Sequence, residues 1–162
     1  SWRRVGDGAC RTAVPVLLVL RCGAVVAGGI LRTELNFPRE IDYIHAKRDQ
    51  CDTVGGELEW KQVPSTSLLN RTVIIIDDVL DEGVTMAKLE NYCHEQGAAH
   101  CYKAVLVDKD IKKEKASKAN FVGFQTGDRY LFGLGMDYKG YLRNVNGLYA
   151  CPENLEELLC QD

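Results

Sequence analysis

Four carboxylates lie close together in residues 76–85 of this 162-residue chain, where the sequence reads IDDVLDEGVT. An apolar run of β-branched residues at 73–76 precedes them, and a pattern typical of a helix follows. In open parallel sheets, ligands bind outside the carboxyl ends of the strands. Capping a helix needs only one Asp, Ser or Thr, so capping does not account for four acids. We therefore interpret this stretch as a ligand site.

The order of residues in this stretch is typical of a site for a sugar phosphate. Asp77 and Asp78 follow the apolar run, and adjacent carboxylates can accept hydrogen bonds from a vicinal diol. The turn after them consists of Asp81, Glu82, Gly83, Val84 and Thr85. Backbone N–H groups at a helix start, the close approach that glycine allows and the threonine hydroxyl favour a phosphate dianion. The stretch is not the phosphate loop of nucleoside triphosphatases, because it contains no Gly-Lys-Thr.

Spacing alone leaves two other interpretations of the acids open: a metal site of the haloacid or response-regulator type, or the surface of an ordinary turn. A zinc site is not predicted, because it needs closely spaced ligand pairs and the sequence has none. The seven cysteines, an odd number without a CxxC pair, are Cys10, Cys22, Cys51, Cys93, Cys101, Cys151 and Cys160. We expect them to be reduced and mostly buried.

The elements that must position the acids follow from periodicity. The predicted strands are 13–20, 41–45, 58–60, 73–76, 102–107, 121–124 and 130–132. Helices are predicted through 31–35, over 85–96 with a stop at Gly97, and over 154–159. A mobile polar loop is predicted at 48–56 and a charged loop with five lysines at 109–118. The order strand, helix, strand between 73 and 107 implies a right-handed parallel crossover and an α/β fold.

Composition places the chain among soluble globular proteins, with 46% hydrophobic and 27% charged residues. The formal net charge of -3 argues against a broad nucleic-acid-binding face, which needs clustered Lys and Arg. The longest apolar run, 13–20, is interrupted by Pro15 and is too short to cross a membrane. We expect a cytoplasmic protein without a nucleic-acid or membrane partner.

Residues 73–86 closely resemble the signature with which type I phosphoribosyltransferases bind phosphoribosyl pyrophosphate (PRPP). The signature is an apolar strand, two acids, two apolar residues and then Asp-Glu-Gly-x-Thr. The resemblance implies a central, mainly parallel sheet flanked by helices in a single domain, with a core at about 13–108 and a small C-terminal hood at about 109–162. It also implies that Asp77 and Asp78 hold the ribose 2′- and 3′-hydroxyls. Residues 81–85 would hold the 5′-phosphate, and Asp81 would be the general base near N7 of a purine.

The C-terminal third resembles the purine end of hypoxanthine-guanine phosphoribosyltransferases, and the likeness to bacterial members covers residues 14–149. The stretches that carry it are DRYLFG at 128–133, GMDY at 135–138 and RN at 143–144. By this resemblance Tyr130 stacks on the purine, the backbone of Leu131 reads the base edge, and Lys109 donates to the 6-oxo group. A lysine donor there favours 6-oxopurines and would leave the amino group of adenine facing a donor.

The resemblance also assigns the pyrophosphate end. Asp137 matches a residue that helps to hold magnesium near pyrophosphate and whose backbone lies near the purine 2-position. Asp77 and Asp78 would contribute to the metal through the ribose hydroxyls, and Arg143 matches a pyrophosphate-binding arginine. The implied reaction joins hypoxanthine or guanine to PRPP, giving IMP or GMP and pyrophosphate in purine salvage, with Mg²⁺ as cofactor. We expect a homodimer or homotetramer. Taken singly, Tyr130 could be a core residue, Lys109 part of a solvated run and Arg143 a surface charge; their joint order favours the functional interpretation.

Three features depart from the family pattern. Residues 20–23, Leu-Arg-Cys-Gly, match a pyrophosphate loop that usually has two glycines and a non-proline cis peptide, so Cys22 occupies a glycine position and Arg21 and Gly23 flank it. Asp49 stands where the family has a lid tyrosine, and few residues precede the first strand. The alternative function is therefore a weak or inactive family member that binds PRPP or nucleotide as a regulator. A separate hypothesis is that Cys22, beside Arg21, is a redox-sensitive thiol. The alternative is that the cysteine replaces the glycine without any functional role.

Overall fold

A computed structural model describes residues 14–48 and 58–152 of the chain. The strands are β1 (Val16–Leu20), β2 (Glu40–Arg48), β3 (Leu58–Gln62), β4 (Thr72–Leu80), β5 (His100–Asp110), β6 (Phe121–Gly127), β7 (Leu131–Phe132) and β8 (Tyr149–Ala150). The helices are α1 (Ala24–Glu34) and α2 (Val84–Glu95). The predicted helix at 154–159, residue 13 of the first predicted strand and residues 49–56 of the predicted mobile loop lie outside the described residues.

Six strands form one sheet in the order β3-β2-β1-β4-β5-β6. Every neighbouring pair is parallel except β2 and β3, which are antiparallel. The short strands β7 and β8 make a separate antiparallel pair. The predicted α/β fold with a mainly parallel central sheet is confirmed.

The core lies along the two central strands. Residues 16–19 of β1 and 73–76 of β4 are almost fully buried, as continuous β-branched and leucine runs in a parallel sheet require when both faces are covered. Helix α1 buries Ala24, Ala27 and Leu31, and α2 buries Met86, Leu89 and Cys93, at helical spacings. The strand ends that carry the site are therefore fixed by a packed core.

Helix α2 begins and ends at glycines with left-handed backbone. Gly83, with φ of 77°, stands at its N-terminus, and Gly97, with φ of 79°, follows its C-terminus. The N–H of Ala98 donates to the carbonyl of Cys93 at 3.0 Å, and the N–H of Gly97 donates to that of His94 at 2.9 Å. This arrangement satisfies the last carbonyls of the helix. The helix stop predicted at Gly97 is confirmed.

Strands β4 and β5 are longer than the sequence predicts, and the difference concerns the site. Pairing of β4 with β5 continues to Leu80 opposite Asp108, so Asp77 and Asp78 lie on the strand itself rather than in the turn after it. Lys109 lies on β5, not in the charged loop, because its strand pairs with β6 as far as Asp110. The main sheet thus extends to residue 127, beyond residue 108, where the core was expected to end.

The connector after β3 is tied to β2 by a buried carboxylate. Asp42 accepts hydrogen bonds from the N–H of Ser65 at 2.8 Å, the Ser65 hydroxyl at 3.0 Å and the N–H of Thr66 at 2.7 Å. Burial by itself would raise the pKa of Asp42, but the bonds from the backbone of Thr66 and Tyr43 and from the Ser65 and Thr66 side chains outweigh it and lower the pKa. An ionised Asp42 therefore holds this edge of the sheet.

Candidate active site

A first cavity, with a volume of about 450 Å³, opens at the carboxyl ends of β1 and β4. Its walls come from the loop between β1 and α1 (20–23), the end of β4 and the start of α2 (77–86), Ala46, and two residues of the C-terminal third, Asp137 and Arg143. Ligands of open parallel sheets bind at such strand ends. All the residues that the sequence analysis assigns to PRPP and its pyrophosphate line this one cavity.

Asp77 and Asp78 lie side by side on its floor. Asp77 is only 9% exposed, and one of its carboxylate oxygens accepts the N–H of Asp78 at 2.8 Å. Asp78 in turn accepts the N–H of Val79 at 2.9 Å. Burial, and then the neighbouring charge of Asp78, raise the pKa of Asp77 well above its usual value. The pair therefore combines a carboxyl group that is hard to ionise with a more accessible carboxylate.

The carboxylate of Asp78 lies against the backbone of Gly23. A Cβ atom added to Gly23 would overlap a carboxylate oxygen of Asp78, and one added to Gly135 would overlap the carbonyl of Gly23. Gly135 also has φ of 100°, which an L side chain rarely adopts. These two glycines let β4, the loop after β1 and the C-terminal segment approach one another at the cavity.

The loop at 20–23 contains the non-proline cis peptide bond that the family resemblance implies. The peptide bond between Arg21 and Cys22 is cis, and the N–H of Arg21 donates to the carbonyl of Ile44 at 3.0 Å. The Arg21 guanidinium donates to the side-chain oxygen of Gln62 on β3 at 2.8 Å. Cys22 is exposed and its thiol is free. Sequence reasoning missed Gln62, since a single polar residue on an edge strand gives no local signal.

The turn at 81–85 depends on Gly83 for its approach to another loop. A Cβ atom at Gly83 would lie 2.7 Å from the carbonyl oxygen of Ser117 and 2.8 Å from its nitrogen. The N–H of Ala116 donates to the carbonyl of Glu82 at 2.9 Å. No side chain caps α2 at Gly83, so its first N–H groups lack the usual capping oxygen. The turn thus has a rigid support, which was not predicted, and a helix start suited to an anion.

A second cavity, of about 250 Å³, adjoins the first. It is lined by Asp78, Val79, Asp81, Lys109, Tyr130, Leu131, Met136 and Asp137. It therefore contains every residue that the sequence analysis assigns to the purine. Four residues belong to the walls of both cavities: Asp78, Val79, Asp81 and Asp137.

Lys109 and Asp81 are in contact at the wall of the second cavity. The ammonium of Lys109 lies 3.4 Å from a carboxylate oxygen of Asp81 and 4.0 Å from one of Asp128. The Lys109 side chain is 12% exposed, so it is not part of a solvated lysine run. Tyr130 is 51% exposed, with its ring edge-on to Tyr138 at 5.7 Å between centroids, so it is not a core residue.

Arg143 is bound to Asp137 rather than free at the surface. Its guanidinium lies 2.7 Å from an Asp137 carboxylate oxygen and also donates to the carbonyl of Gly135 at 2.7 Å. The other carboxylate oxygen of Asp137 accepts the N–H of Gly140 at 2.7 Å. The two groups expected near pyrophosphate therefore neutralise each other in the ligand-free protein.

The predicted metal contacts Asp77, Asp78 and Asp137 do not form a ready-made metal site. Among residues 14–48 and 58–152, no group of three or more His, Cys, Asp or Glu side chains is placed to hold an ion. Carboxylate oxygens without a complete protein cage match magnesium, which is usually held by one or two carboxylates together with substrate phosphates. The donor set thus fits magnesium that arrives with a phosphorylated substrate.

The described cysteines are free thiols. Cys93 and Cys151 are buried and Cys101 is partly buried, whereas Cys22 is exposed in the first cavity. Cys10, Cys51, Cys160 and Asp49 lie outside the described residues. Neither described helix is long and apolar enough to cross a membrane.

A sequence profile of the phosphoribosyl transferase domain matches residues 6–139. The chain belongs to the phosphoribosyltransferase family. It is 31% identical to the hypoxanthine-guanine-xanthine phosphoribosyltransferase of Tritrichomonas foetus over 132 residues, 81% of this chain and 72% of that protein. It is also 31% identical to the hypoxanthine-guanine phosphoribosyltransferase of Bacillus subtilis over 107 residues, 65% of this chain and 59% of that protein. The family predicted from residues 73–86 is confirmed.

Solved structures of the family have the same fold. A hypoxanthine-guanine-xanthine phosphoribosyltransferase matches with a TM-score of 0.75 and 28% identity, covering 85% of this chain and 79% of that one. A variant of the Trypanosoma cruzi hypoxanthine phosphoribosyltransferase in complex with IMP matches with a TM-score of 0.83 and 20% identity, covering 97% and 82%. The type I phosphoribosyltransferase fold expected from the sequence is confirmed.

Proposed function

We propose that this protein transfers the 5-phosphoribosyl group of PRPP to hypoxanthine or guanine, giving IMP or GMP and pyrophosphate, as in purine salvage. One observation carries the proposal: the two cavities meet at Asp81, and Lys109 lies 3.4 Å from its carboxylate on the side of the second cavity. The names of the relatives, hypoxanthine-guanine and hypoxanthine-guanine-xanthine phosphoribosyltransferases, support these purines.

In this proposal PRPP occupies the first cavity. The ribose 2′- and 3′-hydroxyls donate hydrogen bonds to the carboxyl oxygens of Asp77 and Asp78, which lie side by side in this cavity. The 5′-phosphate binds the turn formed by Asp81, Glu82, Gly83, Val84 and Thr85, through backbone N–H groups and the Thr85 hydroxyl. The uncapped start of α2 supplies backbone N–H groups to that phosphate without a lysine.

The purine occupies the second cavity. Tyr130 stacks on its face, the backbone of Leu131 contacts its edge, and Lys109 donates to the 6-oxo oxygen. A ring nitrogen attacks C1′ of the ribose, the bond from C1′ to pyrophosphate breaks, and pyrophosphate leaves with the electron pair. Asp81 accepts the proton of N7 as the nitrogen attacks. Since the protein forms no covalent bond, positioning and electrostatics supply most of the rate enhancement.

The leaving pyrophosphate lies between the 20–23 loop and the C-terminal segment. Arg21 and Arg143 are its cationic partners, and the backbone at Cys22 and Gly23 forms the floor. Asp137, together with Asp77 and Asp78 through the ribose hydroxyls, would hold magnesium, which would supply neutralisation of the charge on the pyrophosphate. Arg143 lies 2.7 Å from Asp137 in the ligand-free protein, so pyrophosphate competes with Asp137 for the guanidinium.

The family resemblance supports three further parts of the proposal. We infer that Mg²⁺ is the cofactor, that the protein is a cytoplasmic homodimer or homotetramer, and that it binds no nucleic acid or membrane. We also infer a core of about 13–108 and a purine-binding hood within about 109–162, formed by the segment that follows strand β6 of the main sheet.

The decisive experiment is pyrophosphate release from PRPP with hypoxanthine, guanine, xanthine or adenine, each with magnesium and with a chelator. Magnesium-dependent release with hypoxanthine and guanine but not adenine is expected. Release with adenine alone, or no release with any purine, would refute the proposal. If PRPP nevertheless binds in calorimetry, a regulatory role would become the better interpretation. An Asp81→Asn variant serves as the negative control, since it keeps the shape of the site but removes the base.

A further inference from the structure

One lysine of the charged loop between β5 and β6 differs from its neighbours. Lys112, Lys113 and Lys118 are exposed, as expected of a solvated loop. The side chain of Lys115, in contrast, is only 12% exposed. A buried ammonium group is costly unless its donors are matched by acceptors, so this lysine needs a specific explanation.

Lys115 connects the ends of two strands. Its ammonium lies 2.5 Å from a carboxylate oxygen of Asp108 on β5 and donates to the carbonyl of Leu80 on β4 at 2.9 Å. Leu80 and Asp108 are partners in the register of the sheet. Lys115 thus bonds both members of the last residue pair between β4 and β5, Leu80 and Asp108.

The residues that follow Leu80 and Asp108 in the chain both belong to the candidate active site. Asp81 follows Leu80, Lys109 follows Asp108, and their side chains lie 3.4 Å apart at the second cavity. Lys115 therefore ties together the two residues that immediately precede Asp81 and Lys109 in the chain.

We propose that Lys115 is a positioning residue for the purine. It holds the ends of β4 and β5 together, and this sets the distance between the carboxylate of Asp81 and the ammonium of Lys109. The inference rests on the proposed transfer to a 6-oxopurine, in which these two groups contact N7 and the 6-oxo oxygen. Loss of Lys115 separates them and impairs use of the purine.

The turn at 81–85, which binds the 5′-phosphate in the proposed function, has its own support. The loss of Lys115 should therefore affect the use of the purine but not the binding of PRPP. The N–H of Ala116 bonds the carbonyl of Glu82, and Ser117 packs against Gly83 and accepts a hydrogen bond from Lys103 at 3.2 Å. None of these contacts uses the Lys115 side chain. Removal of its ammonium group therefore leaves PRPP binding largely intact.

The test replaces Lys115 by Met, which keeps the apolar stem and removes the ammonium. We expect the KM for hypoxanthine to rise about tenfold and kcat to fall by a similar factor, because an error of about 1 Å in placement costs up to 100-fold. The KM for PRPP should change less than about threefold. A Lys115→Arg variant keeps donors for the carbonyl and carboxylate and should recover part of the loss.

Two controls separate positioning from stability. Lys118→Met removes an exposed lysine of the same loop and should change neither KM. Lys103→Met removes an equally buried lysine of β5, whose ammonium lies 2.6 Å from Glu90, and should lower the thermal unfolding midpoint without changing the KM for hypoxanthine. All assays are run well below the unfolding midpoint of each variant.

The outcomes distinguish this inference from the proposed function. If the wild-type protein is active and Lys115→Met raises the KM values for hypoxanthine and PRPP equally, or raises neither, Lys115 is only structural. Lys115 is likewise only structural if Lys103→Met reproduces the hypoxanthine effect. A wild-type protein that releases no pyrophosphate with any purine would refute the proposed function itself, and this inference with it.

Discussion

The guanidinium of Arg143 lies 2.7 Å from the carboxylate of Asp137, and both line the first cavity. Each charge is thus neutralised within the protein before any phosphorylated ligand binds. A charge-assisted pair of this kind is short and geometrically specific. It gives the ligand-free protein a defined arrangement of the C-terminal segment and defines what the ligand must displace.

Replacement of Arg143 by Lys should raise the KM for PRPP. Lysine lacks the planar fork with which an arginine donates two parallel hydrogen bonds to pyrophosphate oxygens, and hydrogen bonds to charged groups contribute about 1.5–3 kcal/mol. We therefore expect kcat/KM for PRPP to fall about 10- to 100-fold. Steady-state kinetics at saturating hypoxanthine measure the effect. An unchanged value would remove Arg143 from the pyrophosphate site.

Replacement of Asp81 by Asn should lower kcat by about 10²- to 10⁴-fold, the usual contribution of a general base. The amide keeps the size of the side chain but cannot accept the N7 proton as a carboxylate does. Asp128→Asn is the matched control, because Asp128 lies 4.0 Å from the same lysine and is largely exposed. Equal losses in both variants would show that only the charge around Lys109 matters.

Replacement of Gly83 by Ala should weaken the binding of PRPP and lower the free energy of unfolding. The new Cβ would lie 2.7 Å from the backbone of Ser117, and φ of 77° is unfavourable for alanine. Gly97→Ala is the control: its φ is 79°, but its near neighbour is the flexible side chain of Leu69. That variant should lose about 1–2 kcal/mol of stability, the cost of a left-handed conformation for an L residue, without a change in PRPP binding. Calorimetric titration with PRPP and urea unfolding of both variants measure the difference.

Replacement of Asp42 by Asn should lower the free energy of unfolding at pH 7 by about 2 kcal/mol, because its hydrogen bonds from Ser65 and Thr66 lose their charged acceptor. The pKa of Asp42 is lowered in the folded protein, so its contribution is present above the ordinary value of 3.8 and is lost as the pH falls below it. Urea unfolding of wild type and variant should therefore differ at pH 7 and converge in acid. Glu40→Gln, at an exposed pair with Arg71, should change little.

A thiol-blocking reagent should label Cys22 faster than Cys93 and Cys151, because only Cys22 among these three is exposed. PRPP should slow that labelling, since Cys22 lines the first cavity. A Cys22→Ser variant identifies the fast phase among all the cysteines of the chain. Equal labelling rates without protection by PRPP would refute the redox hypothesis for Cys22.

The parts of the site that were predictable lie on short, continuous stretches. The β-branched run at 73–76 followed by Asp77 and Asp78 predicts a buried strand ending at a ligand site, and the order of Lys109, Tyr130 and Asp137 predicts the purine side. In each case the residue types and their spacing carry the signal. The strand limits were too short because charged residues at a strand end resemble a loop, although pairing with the next strand continues through them.

The parts that were missed depend on contacts between distant segments. Lys115 stands in a run of lysines, and nothing in that run indicates that one of them is buried and donates to the carbonyl of Leu80, 35 positions earlier in the chain. The approach of Ser117 to Gly83 and the bond of Arg21 to Gln62 likewise join residues more than 30 positions apart. Such pairs form only when the sheet brings the segments together, so local periodicity carries no trace of them.

The loop between β5 and β6 has unequal tolerance to changes in length. Loops usually accept insertions, because their exposed residues make few contacts. Here Lys112, Lys113 and Glu114 are exposed, but the next three residues are anchored to Asp108, Glu82 and the backbone at Gly83. An extra residue at 112–113 would bulge into solvent, whereas one at 116–117 would move Ser117 out of register with the anchors at Lys115 and Ala116. Chain length is therefore free to vary in the first half of this loop and constrained in the second.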